Sequence, residues 1–209
     1  MSRFSFLKPD FSRFSGFSLF RTRPDPVAAL YCDIVAAARA PIAFLAFGVR
    51  DDFEGRFERL VLVATLVLRR LKALPPPADA IAQQLVDRIF AGLDDGLRQS
   101  GVSDVAVGKK MKKLAQGFYG RAEAYTAALD EPLNLAEPSN LAAPPNLALK
   151  EVLARNLLCG RLAPDQIAPG LVDDVLALTA RLDRASLDTL LAGGVLNSHY
   201  SGLPPSSRA

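Results

Sequence analysis

The sequence has no tryptophan, a single histidine, His199, and only two cysteines, Cys32 and Cys159. The cysteines stand far apart, form no CxxC pair and have no histidine beside them, which argues against a disulfide framework and a zinc site. We expect both to be small buried hydrophobic side chains in a reducing compartment.

The motifs of the common enzyme classes are also missing. There is no GxSxG, no HExxH, no phosphate-binding loop and no glycine-rich dinucleotide turn. With one histidine, acid–base chemistry would depend on carboxylates, and the adjacent pairs at 51–52, 94–95 and 173–174 point apart on a helix. The sequence therefore predicts a non-enzymatic binding protein with no cofactor, no metal and no small-molecule substrate.

Long hydrophobic runs are scarce. The densest run, residues 60–68, is bounded by Arg59 on one side and by Arg69 and Arg70 on the other. Nine residues of helix cover about 13 Å, less than half of a bilayer core. The N-terminus lacks the continuous apolar stretch of a secretory signal. We expect a cytoplasmic protein, or a protein of the mitochondrial matrix if the source is eukaryotic.

Half of the residues are hydrophobic, chiefly leucine, alanine and valine, and the net charge is +3. Leucine and alanine lose little side-chain entropy in a helix, and no segment alternates with a two-residue period. This predicts an all-α fold: a single compact helical domain of six to seven helices with a flexible N-terminal segment. The expected divisions are residues 1–25 for that segment, 26–193 for the domain with a proline-rich loop at 131–146, and 194–209 for a flexible tail.

Capping residues, glycines and prolines set the expected helix limits. Asp25 and Pro26 begin the first helix, which Pro41 ends, and Asp51 or Asp52 caps the second. Gly101 ends the third as a left-handed cap, and Ser103 or Asp104 starts the fourth. The predicted helices after the first lie at about residues 53–74, 78–100, 103–129, 147–159, 169–182 and 185–192.

The N-terminal segment carries six phenylalanines and five basic residues. It is consistent with a disordered leader, with a mitochondrial presequence, or with an amphipathic segment on an anionic membrane surface. The last reading assigns the membrane contact to Phe11, Arg13, Phe14 and Phe17.

The fourth predicted helix has one strongly basic face. Lys109, Lys110, Lys112, Lys113 and Arg121 lie opposite or beside the apolar stripe of this helix, and no acid occurs between Asp104 and Glu123. The face is either a solvated surface or a docking surface for phosphates or acidic protein.

Three blocks of sequence carry a family resemblance. The first is Gly-Val-Arg-Asp at 48–51, followed by Gly-Arg-Phe-Glu at 55–58 and Leu-Val-Leu-Arg-Arg-Leu at 66–71. The second is Gly-Val-Ser-Asp at 101–104 with the lysine-rich stretch 107–114. The third is Phe-Tyr-Gly-Arg-Ala at 118–122 with Tyr125 and with Arg-Asn-Leu at 155–157. In this order and spacing the chain resembles the ubiquinol–cytochrome c chaperone family over about residues 27–160, as a bacterial member. The Gly-Val-x-Asp repeats also have a structural interpretation, a turn entering a capped helix.

The resemblance implies an all-helical chaperone that holds newly made cytochrome b during assembly of ubiquinol–cytochrome c reductase, respiratory complex III. It implies no catalytic residues, and it implies further contacts with the ribosome or a small co-chaperone. The long loop at 131–146 and the chain beyond Gly160 depart from the family pattern. The function that the resemblance implies is therefore not extended to the C-terminal third.

The leading hypothesis is therefore a chaperone for a membrane-protein client, peripheral on the inner membrane. The client would bind an apolar groove near Phe44, Phe47 and Phe53, and the loop residues Asp51, Arg56 and Glu58 complete this predicted site. Arg56 and Glu58 are also candidates for an ion pair that locks the loop. The alternative is a basic helical protein that binds nucleic acid or the ribosome through the lysines.

Overall fold

The computed structural model describes residues 25–130 and 146–200. The predicted membrane contacts Phe11, Arg13, Phe14 and Phe17 lie outside these residues, as does nearly all of the proline-rich loop. The described part is 78% helical and contains no strand, which confirms the all-α prediction.

The helix limits follow from local chemistry. Asp25 caps the first helix by accepting a hydrogen bond from the Val27 amide at 3.0 Å, and Asp52, rather than Asp51, caps the third through the Gly55 amide at 2.9 Å. The helices are α1 Pro26–Ala38, α2 Pro41–Leu45, α3 Phe53–Ala73, α4 Ala78–Gln99, α5 Asp104–Asp130, α6 Leu147–Val152 with a π-helical turn at Leu153–Leu157, α7 Pro169–Arg184, α8 Leu187–Ala192 and α9 Asn197–Tyr200.

Helix α3 is the centre of the core. It packs against α1, α4, α5 and α7, and residues 61–68 are all buried. A helix that is apolar on every side must be covered on every side, which explains the uninterrupted apolar run in the sequence.

Residues Pro26–Leu45 are long and apolar enough to cross a membrane by length and composition, with a mean hydropathy of 1.6. However, Pro41 breaks this segment into α1 and α2, and Leu30, Ile34 and Ala37 of α1 are fully buried inside the domain. The burial pattern is that of a core helix.

The two ends of the bundle differ. Helices α1 and α4 run in one direction and α3 and α5 in the other: the second halves of α1 and α4 meet beside the start of α3, and Arg69 pairs with Asp130 near the ends of α3 and α5. We call the end where α4 passes into α5 the α4–α5 end and the opposite one the α3–α4 end. The α1–α2–α3 connection also lies at the α4–α5 end.

Three predictions about the chain were wrong. Residues 41–45 form the short helix α2, which was not among the predicted helices. Residues 194–200 are packed on the domain instead of belonging to a flexible tail, since Leu196 is fully buried. Cys32 is exposed on α1 and Cys159 is half-buried, whereas both were expected inside the core.

Candidate functional site

A groove of about 480 Å³ lies at the α4–α5 end, between the second half of α1, the start of α3 and the second half of α4. Its floor is mainly apolar and its rim is charged. The floor residues include Tyr31, Val35, Phe57, Leu60, Ile89 and Leu93, and the rim residues include Arg39, Asp51 and Arg56.

Two glycines of α4 shape the floor. A Cβ at Gly92 would lie 2.0 Å from the Tyr31 hydroxyl oxygen, so the phenol ring can lie against α4 only because this residue is glycine. Burial raises the pKa of Tyr31 above the ordinary value of a phenol. Gly96 also lines the groove, but a Cβ there would meet no atom within 4 Å.

The rim is held by an exposed ion pair. The Arg56 Nε donates to the Asp51 carboxylate at 2.7 Å, and this hydrogen bond lowers the pKa of Asp51. Asp51 is available for the contact because its neighbour Asp52 caps α3. The alternative pairing of Arg56 with Glu58 is wrong.

The connection into α3 folds tightly over its first turn. Gly48 has a φ of +73°, and a Cβ at Gly55 would lie 2.0 Å from the Arg50 carbonyl oxygen. Arg161 donates to the Gly48 carbonyl at 2.7 Å. The glycines of this block thus have a structural role, and Gly101, with a φ of +81°, ends α4 as predicted.

The predicted phenylalanine cluster divides into surface and core. Phe53 is 55% exposed on the groove rim, and Phe44 is half-buried beside a second cavity that shares Arg39, Asp51 and Arg56 with the groove. Phe47 is buried in the core, where its ring approaches Gly170 of α7. Its prediction as a groove residue was therefore wrong.

Glu58 and Arg121 are partners of each other and not parts of two separate surfaces. Glu58 is 1% exposed and accepts a hydrogen bond from the Arg121 Nε at 2.5 Å. Burial raises the pKa of Glu58, and the Arg121 guanidinium opposes that rise. The prediction of Arg121 as a member of the free basic face, and of Glu58 as an accessible loop residue, was wrong because α3 packs against this side of α5.

The four lysines of α5 form the actual basic face. Lys109, Lys110, Lys112 and Lys113 are all exposed, and within the described residues none of them forms an ion pair. The nearest acid along the helix, Asp104, is paired with Arg98. A role of these lysines in binding stays a prediction.

A buried polar network was missed by the sequence analysis. Arg59 of α3, 1% exposed, donates to Asp174 of α7 at 3.2 Å and to the Tyr200 hydroxyl of α9, and His199 contacts the same carboxylate at 2.8 Å. The partners lie 115 and 141 residues from Arg59, so no local pattern could reveal them. Among the described residues no His, Cys, Asp and Glu side chains group as a metal-ion site.

Comparison with known proteins gives two matches that agree. A family model described as ubiquinol-cytochrome C chaperone matches residues 45–197. A crystal structure of a Cbp3 homolog from Brucella abortus is 38% identical, with a TM-score of 0.62, and the alignment covers 81% of this chain and 86% of that chain. No curated protein matches. The match extends to residue 197, so the expectation that the C-terminal third departs from the family was wrong.

Proposed function

Because the chain belongs to the ubiquinol–cytochrome c chaperone family, we propose that it holds newly made cytochrome b, or a similar membrane-protein client, in the groove at the α4–α5 end. Membership of this family makes the chain a chaperone of ubiquinol–cytochrome c reductase assembly and implies a non-enzymatic role. The client's identity and the use of the groove are the proposed parts.

The observation that carries the proposal is the apolar groove with an exposed aromatic on its rim. Phe53 has 55% of its surface in solvent beside a floor of aliphatic and aromatic side chains. Exposed apolar surface of this kind marks interaction sites, and an amphipathic or apolar helix is the usual occupant of a groove between helices. A newly made membrane protein presents such helices before its partners cover them.

The charged rim suits the ends of such a client. Arg39 and the Arg56–Asp51 pair border both the groove and the second cavity beside Phe44. Polar groups that flank an apolar helix would meet these side chains while the apolar face lies on the floor. The rim thus supplies orientation, and the floor supplies the hydrophobic contact.

We further propose that the protein acts in the cytoplasm at the inner membrane, or in the mitochondrial matrix if eukaryotic. Its client is a membrane protein, and the N-terminal segment carries Phe11, Arg13, Phe14 and Phe17 in a pattern that suits an anionic lipid surface. A ribosome or a small co-chaperone is the expected second partner. The family match does not favour the nucleic-acid-binding alternative.

Site-specific photocrosslinking tests the groove. A crosslinker in place of Leu93 lies on the groove floor, and a crosslinker in place of Leu187, equally half-buried but on α8, is the matched control. During translation of cytochrome b we expect adducts from position 93 and few from position 187. Equal yields from both positions would mean that the client does not use the groove.

A further inference from the structure

The exposed apolar side chains of the described residues are concentrated at one end of the molecule. The large hydrophobic residues with substantial exposure are Leu45 at 74%, Phe53 at 55%, Val105 at 82% and Leu162 at 38%. Leu45 ends α2, Phe53 begins α3 and Val105 lies in the first turn of α5, so these three are at the α4–α5 end. Leu162 follows Arg161, which is bonded to the Gly48 carbonyl in the same region.

The unpaired lysines lie at the same end. Lys109, Lys110, Lys112 and Lys113 occupy the second and third turns of α5, and Val105, Lys109 and Lys112 share one stripe because they are spaced i, i+4, i+7. By contrast, the arginines Arg50, Arg56 and Arg98 of this end are each paired with an aspartate. The free positive charge therefore comes mainly from the lysines and lies directly beside exposed aliphatic surface.

We propose that the α4–α5 end is a membrane-docking surface for an anionic lipid bilayer. Val105, Leu45 and Phe53 enter the boundary between headgroups and acyl chains, and the four lysines contact lipid phosphates. The inference rests on the proposed function in one respect. It places the opening of the client-binding groove toward the bilayer into which a membrane-protein client is finally inserted.

The chemistry of the surface favours lipid over nucleic acid. Single-stranded nucleic acid is held by aromatic side chains on which bases stack, together with cations along the backbone. Two of the three most exposed apolar residues here, Val105 and Leu45, are aliphatic and offer no ring for stacking. An aliphatic side chain next to unpaired lysines matches the layered chemistry of a bilayer surface, with phosphates above hydrocarbon.

The lack of tryptophan makes the test direct, because one introduced indole is the only one in the protein. The full-length variant Val105→Trp reports on the proposed surface, and Ala80→Trp, an exposed position in the first turn of α4 at the α3–α4 end, is the control. With phosphatidylcholine vesicles that contain phosphatidylglycerol, we expect a blue shift and quenching by brominated lipids for Val105→Trp only. Neither variant should respond to phosphatidylcholine alone.

Charge variants test the lysines. Replacing Lys109, Lys112 and Lys113 together by glutamine should weaken partitioning to anionic vesicles on the order of 100-fold at low salt. Replacing Lys150, Arg155 and Arg184, three cations remote from this end, by glutamine removes the same charge and should have a much smaller effect. Circular dichroism should show both variants folded.

Three outcomes would overturn the inference. In one, both triple variants lose binding equally, so that net charge alone matters. In another, vesicles bind while Val105→Trp reports no change, so that the N-terminal segment alone makes the contact. In the third, the lysine variant loses RNA binding but keeps vesicle binding. Crosslinking of the client from position 93 would be unaffected by these results, so the failure of this inference and the failure of the proposed function are distinguishable.

Discussion

At the scale of single residues, Glu58 is a carboxylate whose burial is only partly compensated. Its folded-state pKa is raised by desolvation and drawn back by Arg121. A carboxyl whose folded pKa lies above its unfolded pKa favours the folded state fully at low pH, and this contribution is lost as the pH rises through the folded pKa. Arg121 limits that loss at neutral pH.

Arg121→Gln should therefore destabilise the protein in a pH-dependent manner. We expect a loss of about 2 kcal/mol in the free energy of unfolding at pH 8, because a buried carboxylate is left without its cation. The loss should be smaller at pH 5, because a lower pH favours the protonated, uncharged form of Glu58, whose pKa burial raises. Urea denaturation at both pH values measures this. The control is Arg56→Gln, which breaks only the exposed pair with Asp51 and should leave the free energy of unfolding unchanged. A loss for Arg121→Gln that is equal at both pH values would contradict the argument.

The Arg59–Asp174 pair is buried on both sides, with side-chain exposures of 1% and 4%. Asp174→Ala should cost about 3–5 kcal/mol of stability, because it leaves the Arg59 guanidinium buried without a carboxylate. Tyr200→Phe removes only hydrogen bonds to the same groups and should cost about 1 kcal/mol. Guanidinium denaturation of the two variants gives the comparison; a larger cost for Tyr200→Phe would show that the ion pair is not the main contact.

At the scale of elements, α4 contains two glycines in different surroundings. Gly92 supports the Tyr31 phenol, whereas no atom lies within 4 Å of a Cβ at Gly96. A glycine inside a helix lowers stability because it loses more backbone entropy on folding than other residues. This loss is justified where the structure leaves no room for a side chain. The need for glycine is visible at Gly92 and absent at Gly96 within the described residues.

Alanine substitution should separate these cases. Gly96→Ala should stabilise the protein by about 0.5–1 kcal/mol through helix propensity. Gly92→Ala should destabilise it by about 1–3 kcal/mol because the Tyr31 ring must move. Thermal denaturation provides both values. In a Tyr31→Phe background, which removes the nearest oxygen, Gly92→Ala should cost less, and an unchanged cost would indicate a different origin of the strain.

At the scale of the whole molecule, the C-terminal residues close the domain. Asp33 of α1 accepts hydrogen bonds from the amides of Leu196 and Asn197 at 3.0 and 3.2 Å, so a side chain of the first helix caps the last one. Asp174 and Arg59 hold Tyr200. The two ends of the described chain are thus joined through buried polar contacts.

Truncation after Gly193 should consequently be damaging. It removes the buried Leu196, takes away the two amides that Asp33 accepts from, and removes Tyr200 from the Arg59–Asp174 pair. We expect a melting temperature lower by about 10 °C. Truncation after Tyr200 keeps these contacts and is the control. Differential scanning calorimetry of the two truncated proteins measures the difference in melting temperature. Equal melting temperatures would mean that α9 adds nothing to stability.

Removal of residues 1–24 should act on binding and not on folding. No apolar stripe of the predicted helices depends on this segment, so the melting temperature should stay nearly unchanged while affinity for anionic vesicles falls. Calorimetry and vesicle sedimentation measure the two effects. Unfolding several degrees earlier would mean that the segment packs on the domain.

The sequence alone determined the longer helices and most of their limits, because caps, prolines and apolar periodicity act over a few residues. Asp25, Asp52 and Gly101 occupy the positions that the pattern assigns to them within its stated alternatives. The exposed lysines of α5 likewise follow from helical geometry. The family resemblance was inferred from short sequence blocks in a given order and spacing, and the family match confirms it.

Only the tertiary structure decided which charged and aromatic residues face solvent. Arg121 belongs to the basic side of an isolated helix, but α3 covers it and supplies Glu58 as its partner 63 residues away. Arg59 borders an apolar run and still lies in the core, because Asp174 and Tyr200 reach it from distant helices. Phe47 faces α7 rather than the groove. These positions depend on how helices pack, and contacts between remote segments leave no periodic signal in the chain.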